Sequence, residues 1–388
     1  MISEKRTKAL LEMTQKTRVL GLLPYSYAFS WCNNDCEFCC LKPIHTNKLM
    51  PLEKFKALGD CEINWLKNNI DKLPSDTLLK HYFIGGEIGV LPDEYFNYFY
   101  ELFDSIYEIT NSKKIKLDVT IFSNLMLNEK QMNRLFDLFD YILNKNEYVS
   151  MATSFDLTGR FNNELSLKFW EKNSKAIIDR KIPLLIEVVS RKSSMNKYIN
   201  EKDSYIVKKF DELLEMDKQK QITVVLNEYK PYDSHSMNEL ATFEESSIFY
   251  TEIKNRHGTD LNTFLPYDIN KESERDTYKA YCESNEFIPM FDKEEIPCEP
   301  ISHIFWPEND KINKDDIFKN KLSGEFTCLK HPEKVDDFFN KTYNCLMCKY
   351  RPWCSKRNLR GCYQDHQFIW KDKNCIHKKL FEIVNDDE

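Results

Sequence analysis

The sequence predicts an α/β protein: βα units in series, followed by a separate cysteine-rich region. Three observations carry this. Between residues 20 and 230, strand-length runs of β-branched and apolar residues alternate with helix-length amphipathic runs, the pattern of parallel βαβ units. From about residue 236 the alternation breaks down. The 13 cysteines are segregated, with four in 32–40, one at 61, none from 62 to 281 and eight in 282–375.

Taken in order, Tyr25–Trp31 reads as a strand leading into the first cysteine group. Leu52–Ile70 follows Pro51 and reads as a helix, because proline is tolerated at a helix start and not inside one. Leu78–Ile84 is a strand ending at Gly85-Gly86-Glu87, and Asp93–Ile109 is a helix with aromatic residues on one face. Ile115–Phe122 is a strand ending at Ser123-Asn124, Asn128–Leu143 a helix, and Tyr148–Phe155 a strand ending at Asp156. Leu165–Arg180 is a helix, Leu184–Val189 a strand, Tyr205–Met216 a helix and Ile222–Leu226 a sixth strand. Six strands are too few to close an eight-stranded barrel. They suit a doubly wound sheet or an open, partial barrel. The expected organisation is an N-terminal helical segment (1–20), a core (21–235), a bridging region (236–290) and a cysteine-rich domain (291–388).

Bulk properties narrow the class. The 388 residues suffice for two domains, and 41% hydrophobic with 30% charged residues describes an ordinary globular protein. The polar N-terminus has no signal-peptide core and no run is apolar enough to span a membrane, so the expectation is a cytoplasmic protein without membrane partners. A net charge of −7 disfavours broad nucleic-acid binding. An odd number of cysteines in such a compartment points to metal binding rather than disulfides. Only 9 residues are glycine, so the adjacent pair Gly85-Gly86 suggests a backbone requirement.

The most specific motif is Trp31-Cys-Asn-Asn-Asp-Cys-Glu-Phe-Cys39, with spacing C-x3-C-x2-C. Three thiolates on one loop could hold three corners of a four-iron cluster and leave one iron open. A zinc knuckle or buried free thiols are the alternatives. The motif falls at the C-terminal end of the first expected strand. Gly85-Gly86-Glu87, Ser123-Asn124 and Ser154-Phe155-Asp156 fall at the ends of the next three. Chemistry gathers at that edge of parallel α/β folds. Each polar group also has a plain reading: a tight turn for the glycines, a helix cap for Ser154 and Asp156. Downstream, Cys345-Leu-Met-Cys348-Lys-Tyr-Arg-Pro-Trp-Cys354 has spacing C-x2-C-x5-C, a strong metal signal open to zinc or iron–sulfur.

The cysteine loop, with Phe38 before its third cysteine, resembles the signature of radical S-adenosylmethionine (SAM) enzymes. The resemblance implies a partial (βα)6 TIM-like barrel in which Cys32, Cys36 and Cys39 bind a 4Fe-4S cluster whose open iron chelates SAM. It implies that Gly85, Gly86 and Glu87 meet the methionyl amino group. Ser154 would face the ribose, in a segment similar to the family's Ser-Leu-Asp with Phe155 in place of Leu. Asn124 resembles the middle of a Thr-Asn-Gly motif, although residue 125 is Leu. Ser190 and Arg191 could reach the SAM carboxylate, or lie in a solvated loop. The C-terminal region resembles the SPASM extension of peptide-modifying members such as anaerobic sulfatase-maturating enzymes. That implies one auxiliary 4Fe-4S cluster on Cys345, Cys348, Cys354 and Cys375, and a second on Cys298, Cys328 and Cys362, with Cys282 a candidate fourth ligand. Two departures stand out. Seven residues separate Cys354 from Cys362 where the family has three, and Gly324-x3-Cys328 replaces Gly-x4-Cys. Cys40 and Cys61 read as structural.

The implied activity is hydrogen abstraction from a peptide or protein by a 5′-deoxyadenosyl radical, giving a crosslink, thioether, epimer or oxidised residue. The implied partners are the substrate, alone or with a separate recognition protein, and a flavodoxin- or ferredoxin-type electron donor. A small-molecule dehydrogenase or rearranging enzyme of the same superfamily is the alternative, followed by a nucleic-acid-modifying enzyme and a zinc-stabilised binding module. No catalytic acid or base is singled out; Asp156, Glu228 and Tyr229 lie on the expected rim.

Overall fold

The computed structural model describes residues 19–22, 31–39, 49–72, 78–161, 163–229, 236–270, 286–287, 347–350 and 374–385. The chain divides into two compact units. The first comprises Met1–Thr153, Phe161–Leu185 and Ser284–Phe305; the second comprises Ser154–Arg160, Ile186–Glu283 and Trp306–Glu388.

The first unit is built on five strands: β1 (Val19–Leu22), β2 (Leu78–Phe83), β3 (Lys116–Phe122), β4 (Val149–Phe155) and β5 (Glu286–Phe287). They lie in the order β4-β3-β2-β1-β5, and every pairing is parallel. Register sets which side chains share a face. Lys80 pairs with Asp118 and Tyr82 with Thr120, while Thr120 pairs with Ser150 and Phe122 with Ala152. The alternate residues Leu79, His81, Phe83, Leu117, Val119, Ile121, Val149, Met151 and Thr153 are buried. They face helices α1 (Leu52–Asn69), α2 (Asp93–Ser112), α3 (Glu129–Lys145) and α4 (Glu164–Asp179). The contacts confirm this side. His81 Nδ1 lies 3.0 Å from Glu62 of α1, the Phe83 and Phe99 rings are 5.0 Å apart, and Trp170 of α4 hydrogen-bonds Thr153 at 3.3 Å. Both faces of an ordinary parallel sheet are apolar. Here the face away from these helices is polar, with a Lys80–Asp118 ion pair at 3.5 Å and a Thr120–Ser150 hydrogen bond at 3.2 Å. Helices outside and polar side chains inside is the layout of a partial barrel, and the expected α/β class holds.

The helices obey local rules. Asn128 and Asn163 each close a capping box, with Gln131 and Ser166 as the returning partners. The helix ends are less usual. Lys114, Lys181 and Lys220 all have φ near +58° and follow helices, in a position where glycine is the common choice. Each is held by paired bonds of the Schellman type. For Lys114 these are Lys114 N–H to Asn111 C=O and Ile115 N–H to Thr110 C=O, both 3.0 Å.

The second unit carries β6 (Leu184–Ser190, from Ile186 onward) beside β7 (Thr223–Glu228), with helices α5 (Lys192–Asn200), α6 (Tyr205–Lys218) and α7 (Phe243–His257). Tyr198, Phe210 and Phe249 form its aromatic core, with edge contacts of 5.4 Å from Tyr198 to each of the other two. His257 at the end of α7 is buried between two carboxylates of α6, Asp211 at 2.9 Å and Glu215 at 2.7 Å. The C-terminal helix α8 (Ile376–Asn385) packs on α7 and on the turn 265–267. His377 bonds the Tyr267 hydroxyl at 2.8 Å, and Tyr350 stacks on Phe381 at 4.9 Å. No helix among the described residues is long and apolar enough to cross a membrane.

Several expected boundaries change. The first described strand lies at Val19–Leu22; the strand expected at 25–31 lies, Trp31 apart, outside the described residues, as does most of the expected N-terminal helical segment. The expected bridging region, 236–290, for which the sequence assigns no elements, contains the 15-residue α7 and the short β5. α7 announces itself through a capping box, Thr242 with Glu245. β5 is two residues long and has no periodicity to read. The segment Lys192–Asn200, unassigned from the sequence, is α5.

Candidate active site

In the first unit, four chain segments meet at the C-terminal edge of the sheet. The Trp31 carbonyl accepts from the Glu87 N–H at 2.8 Å, which ties the cysteine loop to the end of β2. Within the loop, Cys39 N–H donates to the Cys36 carbonyl at 3.1 Å. Cys36 is buried, Cys32 and Cys39 are half-buried, and none of the three is in a disulfide. Phe38 is half-buried, as are Gly85 and Gly86.

Glu87 is the hub of this edge. Its side chain is fully buried and accepts the Gly89 N–H at 2.8 Å, the Ser123 hydroxyl at 3.0 Å and the Asn124 N–H. Three converging donors suit an acceptor-only carboxylate. Gly89 makes the approach possible, since a Cβ there would stand 2.3 Å from a Leu127 methyl and 2.9 Å from the Glu87 carboxylate. Arg134 of α3 secures the same turn by donating to the Gly89 and Leu91 carbonyls, at 2.9 and 2.8 Å.

Asn124 links the β3 loop to the cysteines. Its amide nitrogen donates to Asn33 Oδ1 at 2.7 Å and to Cys32 Sγ at 3.5 Å, while its oxygen accepts from Met126 N–H at 2.8 Å. Asn33 in turn donates to the Met126 carbonyl at 2.8 Å, and the Asn34 amide donates to Cys36 Sγ at 2.9 Å. Leu125 explains why a leucine can stand where the resembling motif has glycine. It adopts φ 60°, the left-handed conformation glycine favours, and the local bonds enforce it. Ser123 Oγ accepts the Leu125 N–H at 3.0 Å, and Asn173 of α4 donates to the Leu125 and Leu127 carbonyls at 2.8 and 2.9 Å. Sequence reasoning placed Ser123 on this rim and missed Asn33, Asn34 and Asn173 as parts of the frame. For Asn173 there was a signal, because an amide on the buried stripe of an amphipathic helix demands a partner.

Burial pushes the Cys32 thiol up to about 12, with Glu87, Cys36 and Cys39 adding to the shift and a bond from the Asn34 backbone N–H opposing it. The three thiols therefore lie within electrostatic reach of one another, and a bound cation would have to displace the Cys32 proton. Among the described residues no three His, Cys, Asp or Glu side chains converge in a single-ion geometry. A cubane makes a different demand, because each thiolate binds its own iron. Three thiols on one loop, with amide donors on two of the sulfurs, fit that group.

The second unit has its own buried network after the end of β4. Asp156 is fully buried, accepts from Gly159 N–H at 2.6 Å and from the Ser194 hydroxyl, and lies 3.5 Å from Arg191 Nε. It caps no helix, because α4 is capped by Asn163. Arg191 is 2% exposed rather than in a solvated loop, and it also donates to Thr158 at 2.7 Å. Ser154 accepts from Arg160 Nη1 at 2.9 Å. Tyr229 is buried.

Of the C-terminal thiols, Cys348 and Cys375 are described and half-buried, and both adjoin α8. Tyr350, two residues after Cys348, stacks on Phe381, and the Cys375 carbonyl accepts Lys379 N–H at 3.1 Å in the first turn. Cys282, Cys298, Cys328, Cys345, Cys354 and Cys362 lie outside the described residues, as does Cys40; Cys61 lies on α1.

No protein-family model and no curated protein matches the sequence. Solved structures do. Native anSMEcpe with bound AdoMet and the Kp18Cys peptide, an anaerobic sulfatase-maturating enzyme of the SPASM-domain radical SAM type, aligns with a TM-score of 0.50 at 16% identity, covering 87% of this chain and 88% of that one. A histidine-tagged form of anSMEcpe with bound AdoMet aligns with a TM-score of 0.50 at 15% identity, covering 94% and 96%. At these identities the likeness establishes the fold.

Proposed function

We propose that this chain is a cytoplasmic radical SAM enzyme that modifies a peptide or protein. The observation that carries the reading is the framed cysteine loop, C-x3-C-x2-C at the C-terminal edge of a parallel sheet, locked by Glu87 and Asn124 to the loops after β2 and β3. A fold shared with an enzyme solved with AdoMet and a peptide supports it.

Cys32, Cys36 and Cys39 would hold a 4Fe-4S cluster. Bound there with SAM, the cluster supplies a 5′-deoxyadenosyl radical for hydrogen abstraction. Gly85 and Gly86 would bring their backbone against the SAM amino group, with Glu87 fixing the turn behind them. Asn124 would hold the cysteine loop, Ser154 would meet the ribose, and Phe38 would shield the open side of the cluster from water. The polar sheet face, with Lys80, Tyr82, Asp118, Thr120 and Ser150, would receive the substrate; hydroxyls and an ion pair suit a peptide backbone better than an apolar small molecule. Cys345, Cys348, Cys354 and Cys375 would hold one auxiliary cluster, and Cys298, Cys328 and Cys362 a second, taking up electrons from the substrate or passing them on from a flavodoxin- or ferredoxin-type donor.

The test begins with iron and sulfide content after anaerobic purification. About twelve irons per chain fit three four-iron clusters and about eight fit two. Zinc without iron would sink the reading. SAM and a reductant should release 5′-deoxyadenosine from the wild type and none from Cys36→Ala. Release that rises only when a short peptide encoded beside the enzyme is added identifies the substrate class, whereas stimulation by small metabolites alone would favour the dehydrogenase alternative.

A further inference from the structure

The frame around the cysteine loop aims amide hydrogens at sulfur, and this has a chemical use distinct from holding the loop. We infer that the side-chain amides of Asn34 and Asn124 donate hydrogen bonds to two of the three cluster thiolates and thereby set the reduction potential of the cluster. The inference rests on the cluster reading above and concerns a property that reading leaves open.

The direction of the Asn124 amide is fixed by groups that cannot flip. Met126 N–H can only donate, so the Asn124 oxygen faces it at 2.8 Å. The Met126 carbonyl can only accept, so Asn33 gives it its amide nitrogen at 2.8 Å and turns Oδ1 toward Asn124. Asn124 must then present its NH2, with one hydrogen for Asn33 Oδ1 at 2.7 Å and one for Cys32 Sγ at 3.5 Å. Asn34 contributes twice, through its side chain to Cys36 Sγ at 2.9 Å and through its backbone N–H to Cys32. Asn34 and Asn124 are both 8% exposed, so water competes little for these donors. A neutral thiol is a weak acceptor. Amides held against it inside the protein gain their full strength only when the sulfur carries charge, as a metal-bound thiolate does.

Reduction of a four-iron cluster adds one electron whose charge spreads onto its sulfurs. An N–H donor at a thiolate stabilises the reduced form more than the oxidised form, and so raises the potential. Asn33 does not touch sulfur; it is a positioning residue for Asn124.

The test is a potentiometric titration of the anaerobically reconstituted full chain, read by electron paramagnetic resonance. Auxiliary clusters are first removed in a Cys348→Ala, Cys375→Ala, Cys328→Ala, Cys362→Ala background, which takes two ligands from each auxiliary set. Asn124→Leu keeps the volume and deletes the donor; Asn34→Ala deletes the side-chain donor at Cys36. Each is expected to leave iron and sulfide unchanged and to shift the midpoint downward. A tenfold loss of reduced cluster at fixed potential corresponds to about 59 mV for one electron. Asn33→Leu should produce a shift of the same sign and smaller size. Should Asn124→Leu fail to take up iron, Asn124→Ser deletes the same donor with less bulk. Loaded variants whose midpoints equal that of the wild type overturn the inference and leave the cluster reading intact. A wild-type protein that takes up no iron and sulfide overturns both.

Discussion

Replacing Glu87 by glutamine should loosen the frame of the active-site edge by a calculable amount. The carboxylate receives two donors on Oε1, Gly89 N–H and the Ser123 hydroxyl, and one on Oε2, Asn124 N–H. Glutamine keeps the shape but offers only one acceptor oxygen. With that oxygen at the Oε1 position, the NH2 opposes the Asn124 N–H, donor against donor. Turning the amide over moves the clash to Gly89. One charge-assisted bond is lost, worth about 1.5–3 kcal/mol, and the surviving bonds weaken toward neutral strength. The expected cost is about 3 kcal/mol. Glu87→Ala leaves all three donors without an acceptor and should cost about 5 kcal/mol. Both are large against a total stability on the order of 5–15 kcal/mol. Urea denaturation gives the cost, and hydrogen exchange on peptides covering 85–90 and 121–128 localises it. The Asn124 amide should lose protection in Glu87→Gln while strand interiors keep theirs. A Gln variant within about 0.5 kcal/mol of wild type, with the Asn124 amide still protected, would refute the assignment of Glu87 as the hub.

Asn173→Ala removes two bonds to the Leu125 and Leu127 carbonyls and should cost about 2–4 kcal/mol; equal urea midpoints would contradict it. Lys114→Gly, Lys181→Gly and Lys220→Gly each relieve a side chain held at positive φ and should each stabilise by about 1 kcal/mol, additively in the triple variant. Unchanged melting temperatures would mean that the lysines bear no strain. His257 has its pKa raised, because burial, which opposes its charge, is outweighed by the bonds to Asp211 and Glu215. Asp211 has its pKa lowered, with burial again outweighed, here by bonds from His257 and Tyr198. The His257 contribution is full below about pH 6.5 and is lost as pH rises through the raised value. The Asp211 contribution is full above about pH 4 and is lost as pH falls through the lowered one. Stability should therefore decline above about pH 6.5 in the wild type and stay flat there in His257→Gln; parallel profiles would exclude this pair as the cause.

What the sequence reveals follows from which signals are local. β2, β3, β4 and the helices after them are long enough for periodicity to show, and their strand ends locate the edge where the cysteine loop, Glu87 and Asn124 meet. The strand Val19–Leu22 is not legible in the sequence because it is only four residues long, and only its register with Leu78–His81 places it in the sheet. Arg191 reads as solvated in a charged stretch, yet buried Asp156 and Thr158 draw it inside. Leu125 weakens the motif on paper, since leucine seldom takes positive φ. The strain is met by Ser123 and by Asn173, which is far away in sequence, and nothing local records that. The opposite holds for Asn33 and Asn34. They lie between the cysteines and read as filler in a spacing rule, although the Asn34 amide donates to Cys36 Sγ and Asn33 orients Asn124 toward Cys32.

The frame also dictates when the thiols can be put to use. The cysteine loop leaves the ribosome early, but the atoms that fix it come from the ends of β2 and β3 and finally from α4. Until Asn173 has been made, nothing holds Leu125 in place, and Asn124 cannot settle on Cys32. At about 5–20 residues per second that interval lasts roughly seven to thirty seconds, during which the three thiols ride on an unframed nascent segment. Iron delivered in that interval meets a loose chelator, whereas iron delivered afterwards meets a shaped one. On the cluster reading, the topology would set the order of maturation, with the sheet formed before the metal is bound.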